Sequence, residues 1–231
     1  MAHIGILWCT WFTGAWWIRP WRLPYAYRPP ALFASKMREA GHDVDVLVCD
    51  EELALSSLDG TQNRIQDGVD ILYVMTHGNF ASQGYKAELN VSRWLPAVTG
   101  IGTAAASKLS VVIFDTCHLI DSAQNWEAAW AQNLGNSLRL ILGFEGSVAI
   151  DQGSAVRGKA FANELLNGKT FADAWLIAAD ASIDYDPEYK KAVAIGIGDT
   201  MQDAQAILAT ADLANMPAAR SGTSTFLALK R

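Results

Sequence analysis

Short, wholly apolar runs that stop abruptly at polar residues are the feature that most constrains the fold. Ile71–Met75 reads ILYVM, and residues 109–114 read LSVVIF. Strands this apolar suit a parallel sheet that helices cover on both faces. Other strand-like segments alternate with helical patterns, the strands at 3–9, 43–49, 138–144, 193–197 and 225–229, the helices at 31–40, 125–134, 155–166, 170–182 and 201–213. This alternation predicts an α/β fold with a doubly wound sheet.

Length and composition limit the class of protein. The 231 residues, 51% hydrophobic and 18% charged, predict one compact domain over residues 1–231. The net charge of -6 argues against a nucleic-acid partner, and no apolar stretch is long enough for a membrane span. The start of the chain lacks the cationic region of a secretory signal, so we expect a cytoplasmic protein. The oligomeric state stays open.

Cysteine is sparse in this chain. Cys9, Cys49 and Cys117 are the three cysteines, which does not suggest a disulfide framework. They stand far apart and without paired His or Cys spacing, so the sequence predicts neither a metal site nor a cofactor. Cys9 and Cys49 lie in apolar strands and are interpreted as packing residues.

Reactive side chains follow two of the predicted strands. ILYVM is followed by Thr76-His77-Gly78, and VVIF is followed by Asp115-Thr116-Cys117-His118. Functional groups in an open parallel sheet gather beyond the carboxyl ends of the strands. If these two strands are neighbours, His77 and Cys117 face one another, and an imidazole beside a thiol can move its proton. The amides of Gly78 and Cys117 would then be candidates for an oxyanion hole.

Structural explanations exist for the same residues. A cysteine at a strand end is commonly a small buried hydrophobe, and His-Gly is common turn punctuation. What favours catalysis is the combination of both residues at matching ends of apolar strands. On the residues alone, both explanations remain open.

An apolar strand closing in His-Gly, followed by one closing in Asp-x-Cys, resembles the caspase, metacaspase, legumain and gingipain group of cysteine peptidases. Asp115-Thr116-Cys117-His118 is similar to the metacaspase pattern Asp-x-Cys-His-Ser-Gly, whereas the caspase-specific Gln-Ala-Cys-x-Gly pattern is absent. The resemblance implies a three-layer α/β/α sandwich around a mostly parallel six-stranded sheet. It also implies that Cys117 is the nucleophile and that His77 shuttles a proton to the leaving group.

A closer likeness is to bacterial domains of the DUF6345 type. The shared features are a Trp-rich beginning, the His77-Gly78-Asn79 segment, the Asp-x-Cys strand, Ile-Leu-Gly-Phe at 141–144, and a helix pair over residues 158–175. The likeness covers roughly residues 1–182.

Two residues beside Cys117 are candidates for substrate binding. The metacaspase resemblance implies that Asp115 lines a pocket for Arg or Lys, and a partly dry carboxylate does favour a cation. Capping of the following turn is the alternative for Asp115. His118 could orient a substrate or make a structural hydrogen bond. Leu119 and Ile120 replace the metacaspase Ser-Gly, which suggests a more apolar pocket.

A Trp-rich, proline-rich segment occupies residues 10–30, where the sequence predicts a long ordered loop. Its aromatic side chains either pack over the sheet or line a cleft near Cys117. Trp11 is our candidate for such a substrate contact, because it follows the first strand.

These features predict a cysteine-dependent hydrolase, a peptidase or amidase, acting on a peptide or small molecule with a possible preference for Arg or Lys. Two alternatives stay open. One is a biosynthetic enzyme that uses the same dyad for acyl transfer or cyclisation of a small apolar or aromatic substrate. The other is a non-catalytic binding domain.

Overall fold

The computed structural model describes residues 1–9, 11–12, 21–22, 24–48, 68–81, 84–89, 93–94, 101–103, 107–121, 125–132, 134–148, 152–182 and 190–231. Its strands are β1 (His3–Trp8), β2 (Trp11–Phe12), β3 (Trp21–Arg22), β4 (Asp43–Val48), β5 (Ile71–Met75), β6 (His77–Ala81), β7 (Gly84–Leu89), β8 (Arg93–Trp94), β9 (Val111–Phe114), β10 (Leu140–Gly146), β11 (Lys190–Gly198) and β12 (Phe226–Lys230). Its helices are α1 (Arg28–Glu39), α2 (Trp126–Ala131), α3 (Ala155–Leu166), α4 (Phe171–Asp180) and α5 (Met201–Thr210).

The main sheet has seven strands in the order β12-β11-β10-β9-β5-β1-β4. The five strands from β10 to β4 run parallel, while β11 is antiparallel to β10, and β12 is antiparallel to β11. The predicted α/β class with a mostly parallel sheet is therefore confirmed. The sheet has one strand more than the six implied by the resemblance, because β12 pairs outside β11 after α5.

Alternate residues of the central strands face opposite sides of the sheet, as the two-residue period of a strand requires. Tyr73 of β5 joins a first core cluster that includes Phe33 of α1 and Phe161 of α3. Val74 joins a second cluster on the other face, with Trp130 of α2. Both faces are therefore covered, which is why β5 and β9 are wholly apolar.

Helix boundaries follow local sequence signals. α1 begins at Arg28 with Pro29 and Pro30 in its first turn, earlier than predicted, because proline lacks only an N–H that the first turn does not need. The hydroxyl of Thr170 caps α4 by accepting from the Asp173 amide at 3.1 Å. α3 has the predicted bounds. No helix among the described ranges is long and apolar enough to cross a membrane.

Two small antiparallel sheets complete the described strands. β2 pairs with β3, and β6, β7 and β8 form a three-stranded sheet. From the sequence, Thr76-His77-Gly78 were predicted only to follow the strand at 71–75, whereas His77 begins a further strand, β6. The segment 10–30 was expected to be a loop, and its residues 10, 13–20 and 23 lie outside the described part of the chain.

Helix α3 approaches α1 very closely at Gly158. A Cβ on this residue would lie 1.9 Å from the carbonyl oxygen of Pro29. The backbone of Pro29 occupies the place of a Cβ on residue 158. A larger residue there would therefore force α1 and α3 apart.

We expect Gly158→Ala to destabilise the protein by about 1–3 kcal/mol, the usual range for an overpacked site. Helix propensity alone predicts that the substitution stabilises the protein, since Ala is favoured over Gly by about 1 kcal/mol inside a helix. Urea unfolding monitored by circular dichroism measures the difference, with Val156→Ala at an exposed position of α3 as the control. A Gly158→Ala variant more stable than the parent would contradict the close approach.

Candidate active site

The register between β5 and β9 places His77 and Cys117 at one edge of the sheet. Val74 is opposite Phe114 in the parallel ladder, and the Asp115 amide donates to the Val74 carbonyl at 2.9 Å. His77 is the third residue after Val74, and Cys117 is the third after Phe114. The two predicted strands are therefore neighbours, and both residues follow their carboxyl ends.

The Cys117 thiol lies against the segment that follows β10. Its Sγ accepts from the Val148 amide at 3.3 Å and lies 3.5 Å from the Val148 carbonyl oxygen, to which the thiol can donate. Asp115 and Thr116 before it are buried, whereas Cys117 is partly exposed. An N–H that donates to sulfur favours a thiolate, whereas a carbonyl oxygen at this distance favours the protonated thiol.

His118 has a left-handed backbone with φ of 51°, the only such non-glycine residue in the described ranges. Non-glycine residues adopt this region at a cost, which hydrogen bonds here offset. The His118 amide donates to the Gly146 carbonyl at 2.7 Å, and Nε2 lies 3.0 Å from Ser147 Oγ. The structural hydrogen bond considered for His118 is thus present, and it fastens the turn after Cys117 to the end of β10.

His77 is half-buried, and burial lowers the pKa of its imidazole from the ordinary value. Removing a cation from water is costly, so the neutral ring is favoured. A neutral imidazole can accept a proton near pH 7. Gly78 follows as a buried residue of β6 opposite Ala87.

Asp115 lies inside the protein, with no exposed surface. Its Oδ1 accepts from Arg157 Nη2 at 2.6 Å, and its Oδ2 accepts from Arg157 Nε at 3.1 Å and from the Tyr73 hydroxyl at 2.8 Å. The Arg157 guanidinium also lies 5.2 Å from the centroid of the Phe144 ring. Burial, followed by the charge of Asp115, raises the pKa of Tyr73 well above its usual range, so the hydroxyl keeps its proton and donates.

This geometry changes the interpretation of Asp115. The metacaspase resemblance implied that its carboxylate lines a pocket for Arg or Lys, but in the structure both oxygens bind groups of the chain itself. The partner residues were missed because each is 42 residues from Asp115. A signal did exist, since Arg157 precedes Phe161 and Leu165 on the buried face of α3, where an arginine requires a carboxylate.

Leu119 and Ile120 also differ from their expected role. Both are fully buried in the second core cluster, and a Cβ on Gly143 would lie 2.6 Å from Leu119 Cδ2. The Leu119 amide donates to the Phe144 carbonyl at 2.8 Å, which turns the side chain under the sheet. These residues therefore pack the core and do not make the pocket apolar.

Two tryptophans lie at the adjacent ends of the first two strands, Trp8 at the end of β1 and Trp11 at the start of β2. Trp8 packs partly buried against the first core cluster. The backbone of Trp11 pairs with Arg22. The predicted contact of the Trp11 side chain with substrate lies outside the described residues.

In the described part of the chain, one cluster has the composition of a metal site, namely His3, Asp43 and Asp45. It lies at the amino ends of β1 and β4, away from Cys117. His3 Nε2 is 2.8 Å from Asp45 Oδ2, and Nδ1 is 2.9 Å from the Gly68 carbonyl oxygen. The hydrogen bond to Asp45 is the main cause that raises the pKa of His3, so Nε2 is explained by an ion pair with Asp45 and Nδ1 by donation to the Gly68 carbonyl.

The fold is similar to that of a caspase. A crystal structure of the Drosophila initiator caspase Dronc matches with a TM-score of 0.52 and 11% sequence identity, over 83% of this chain and 78% of that chain. At this identity the likeness concerns the fold alone. The chain belongs to the family described as Domain of unknown function (DUF6345), which matches residues 16–210. No curated protein matches.

Removing one partner of the buried ion pair should destabilise the fold far more than removing both. We expect Asp115→Leu or Arg157→Met alone to destabilise the fold by about 3–5 kcal/mol, because an uncompensated charge stays buried. The double variant should recover most of this loss. Urea unfolding of the four proteins measures the coupling, and additive effects would contradict a direct pair.

Proposed function

We propose that the protein is a cysteine-dependent hydrolase of amide or ester bonds, with Cys117 as nucleophile and His77 as proton carrier. The observation that carries the proposal is the register of β5 and β9. It supports the proposal because the segments that carry the imidazole and the thiol both follow the carboxyl ends of neighbouring parallel strands, where ligands bind in open α/β sheets.

The proposed reaction has two steps. Proton transfer from the Cys117 thiol to His77 accompanies attack of Sγ on the substrate carbonyl carbon. The bond to the leaving group breaks, and the leaving amine or alcohol takes the proton from His77. Water then attacks the thioester and gives a proton to His77, and this proton returns to Cys117 as the acid product leaves. The amides of Gly78 and Cys117 are the candidate donors to the oxyanion.

Several features of the surroundings support this chemistry. The Val148 amide donates to Sγ, and burial lowers the pKa of His77, which favours the neutral ring that can accept a proton. The caspase-like fold is consistent with thiol hydrolysis, although fold alone does not determine function. We propose no preference of the enzyme for Arg or Lys in the substrate, because Arg157 binds the Asp115 carboxylate.

Alkylation distinguishes this proposal from a non-catalytic domain. We expect a peptidyl chloromethyl ketone to modify Cys117 selectively and to leave the fully buried Cys9 untouched. Mass spectrometry of tryptic peptides identifies the modified residue. His77→Gln should slow the modification by about 10²–10⁴-fold, the usual contribution of a general base.

Alkylation by iodoacetamide in denaturant is the control, because it shows whether each thiol can react once the protein is unfolded. Cys117→Ser should fold normally and lose the selective modification. A folded protein in which Cys117 reacts no faster than a model thiol would contradict the proposal and favour a binding domain.

The lowered pKa of His77 fixes the sign of the pH dependence. Since neutral His77 accepts the thiol proton, the alkylation rate should fall only when pH drops below about 6.5, the value of an unperturbed histidine. His77→Gln should move this acid limb to higher pH, because the thiol then ionises without a nearby proton acceptor. Rates measured at constant ionic strength test both statements, and an identical acid limb in the variant would exclude His77 as the acceptor.

A further inference from the structure

A side-chain hydrogen bond joins the turn after Cys117 to the segment after β10. We infer that its two partners, His118 and Ser147, are positioning residues for the nucleophile. Their hydrogen bond holds the Val148 amide against the Cys117 sulfur and so favours the thiolate. For the role of Cys117 as nucleophile this rests on the proposed function, which attributes activation of the thiol to His77 alone.

Three contacts join the turn after Cys117 to the end of β10. The Val148 amide donates to Cys117 Sγ at 3.3 Å. The His118 amide donates to the Gly146 carbonyl at 2.7 Å, and His118 Nε2 lies 3.0 Å from Ser147 Oγ. Ser147 immediately precedes Val148, so the two residues share the peptide group whose N–H reaches the sulfur. A hydrogen bond that fixes Ser147 therefore helps to fix the direction of this N–H.

The backbone of His118 indicates that its side chain is needed at this position. Its φ of 51° lies in the left-handed region, where a residue with a Cβ is disfavoured and glycine is not. Ser147 is exposed, so its hydroxyl is not held by burial, whereas the imidazole of His118 is within hydrogen-bond distance of it. The imidazole thus supplies a contact that glycine could not make.

The contact with the Val148 amide favours the thiolate over the thiol. A hydrogen bond to an ionised acceptor is about twice as strong as a neutral one, and the N–H can still donate after the sulfur loses its proton. The Val148 carbonyl oxygen, 3.5 Å from Sγ, acts in the opposite sense by accepting from the thiol. Because a thiol is a weak donor, the shorter contact with the N–H outweighs it.

Other charged groups lie on the elements around the thiol. They include the ion pairs Asp115–Arg157 and Glu145–Arg231, and Lys191 of β11, which is opposite Glu145 in the ladder. Carboxylates, guanidinium groups and ammonium groups ordinarily keep their charge from about pH 5 to 8, whereas histidine changes its charge in this range. An experiment on the thiol must therefore separate the charges of His77 and His118 from the hydrogen bond.

The test is the pH profile of Cys117 alkylation by iodoacetamide, measured in the His77→Gln background so that no imidazole at 77 takes the proton. We expect Ser147→Ala to move the midpoint of this profile to higher pH by about one unit, the scale of one hydrogen bond to a charged group. Ser147→Thr keeps the hydroxyl and should keep the midpoint. Ser35→Ala, which removes an exposed hydroxyl bonded to Glu39 in α1, should also leave it unchanged.

His118→Gly separates the side chain of this residue from its backbone. Glycine accepts the left-handed conformation, so the fold should be retained, which circular dichroism checks. We expect the same shift as for Ser147→Ala and no further shift in the double variant, because both changes remove one hydrogen bond. A shift in His118→Gly alone would show that the imidazole acts by its charge and would overturn the inference, as would additive shifts or an unchanged midpoint in Ser147→Ala.

Failure of the proposed hydrolase gives a different result. If the parent protein cleaves no amide or ester bond, the proposed function fails, while the midpoints still decide whether His118 and Ser147 position the amide. The ultraviolet absorbance of the thiolate, with Cys117→Ser as the blank, gives the same midpoints where alkylation is slow. An active hydrolase whose midpoint is unchanged by Ser147→Ala would keep the proposed function and remove the positioning role.

Discussion

The parallel register of β5 against β9 is the constraint on which the candidate site depends. Strand register is strongly fixed when both faces are buried, since a slip of one residue would turn every side chain to the other face. Tyr73 and Val74 already face different core clusters, so such a slip would disrupt both. The same packing that holds the sheet together therefore fixes the two strand ends that precede His77 and Cys117.

A buried ion pair at a site of this kind has a structural cost and a chemical use. The desolvation of Asp115 and Arg157 offsets much of their attraction, so the pair is a weak source of stability. It does hold the backbone just before Cys117 in one place, because the Asp115 carboxylate has three fixed donors. The hydrogen bonds of His118 and Val148 hold the backbone and sulfur on the other side.

Much of the fold could be predicted from local patterns, because the central strands β5 and β9 are apolar runs bounded by polar residues, and β4 begins with the alternation of polar and apolar residues typical of a strand. The small sheet β6–β8 was missed, although Tyr85, Ala87 and Leu89 alternate with polar residues as in a strand. The sequence predicted that His77 and Cys117 share a sheet edge. It could not predict that Arg157 binds Asp115, because the contact joins elements 42 residues apart and depends on how α3 packs.

The long sequence separations at the site have a consequence for the order of its assembly. Val148 follows Cys117 by 31 residues, and Arg157 follows Asp115 by 42. During synthesis at about 5–20 residues per second, Cys117 therefore spends seconds as part of a nascent chain whose later partners do not yet exist. The thiol acquires its native surroundings only after β10 and α3 have been made, so the environment of Cys117 is a late product of folding.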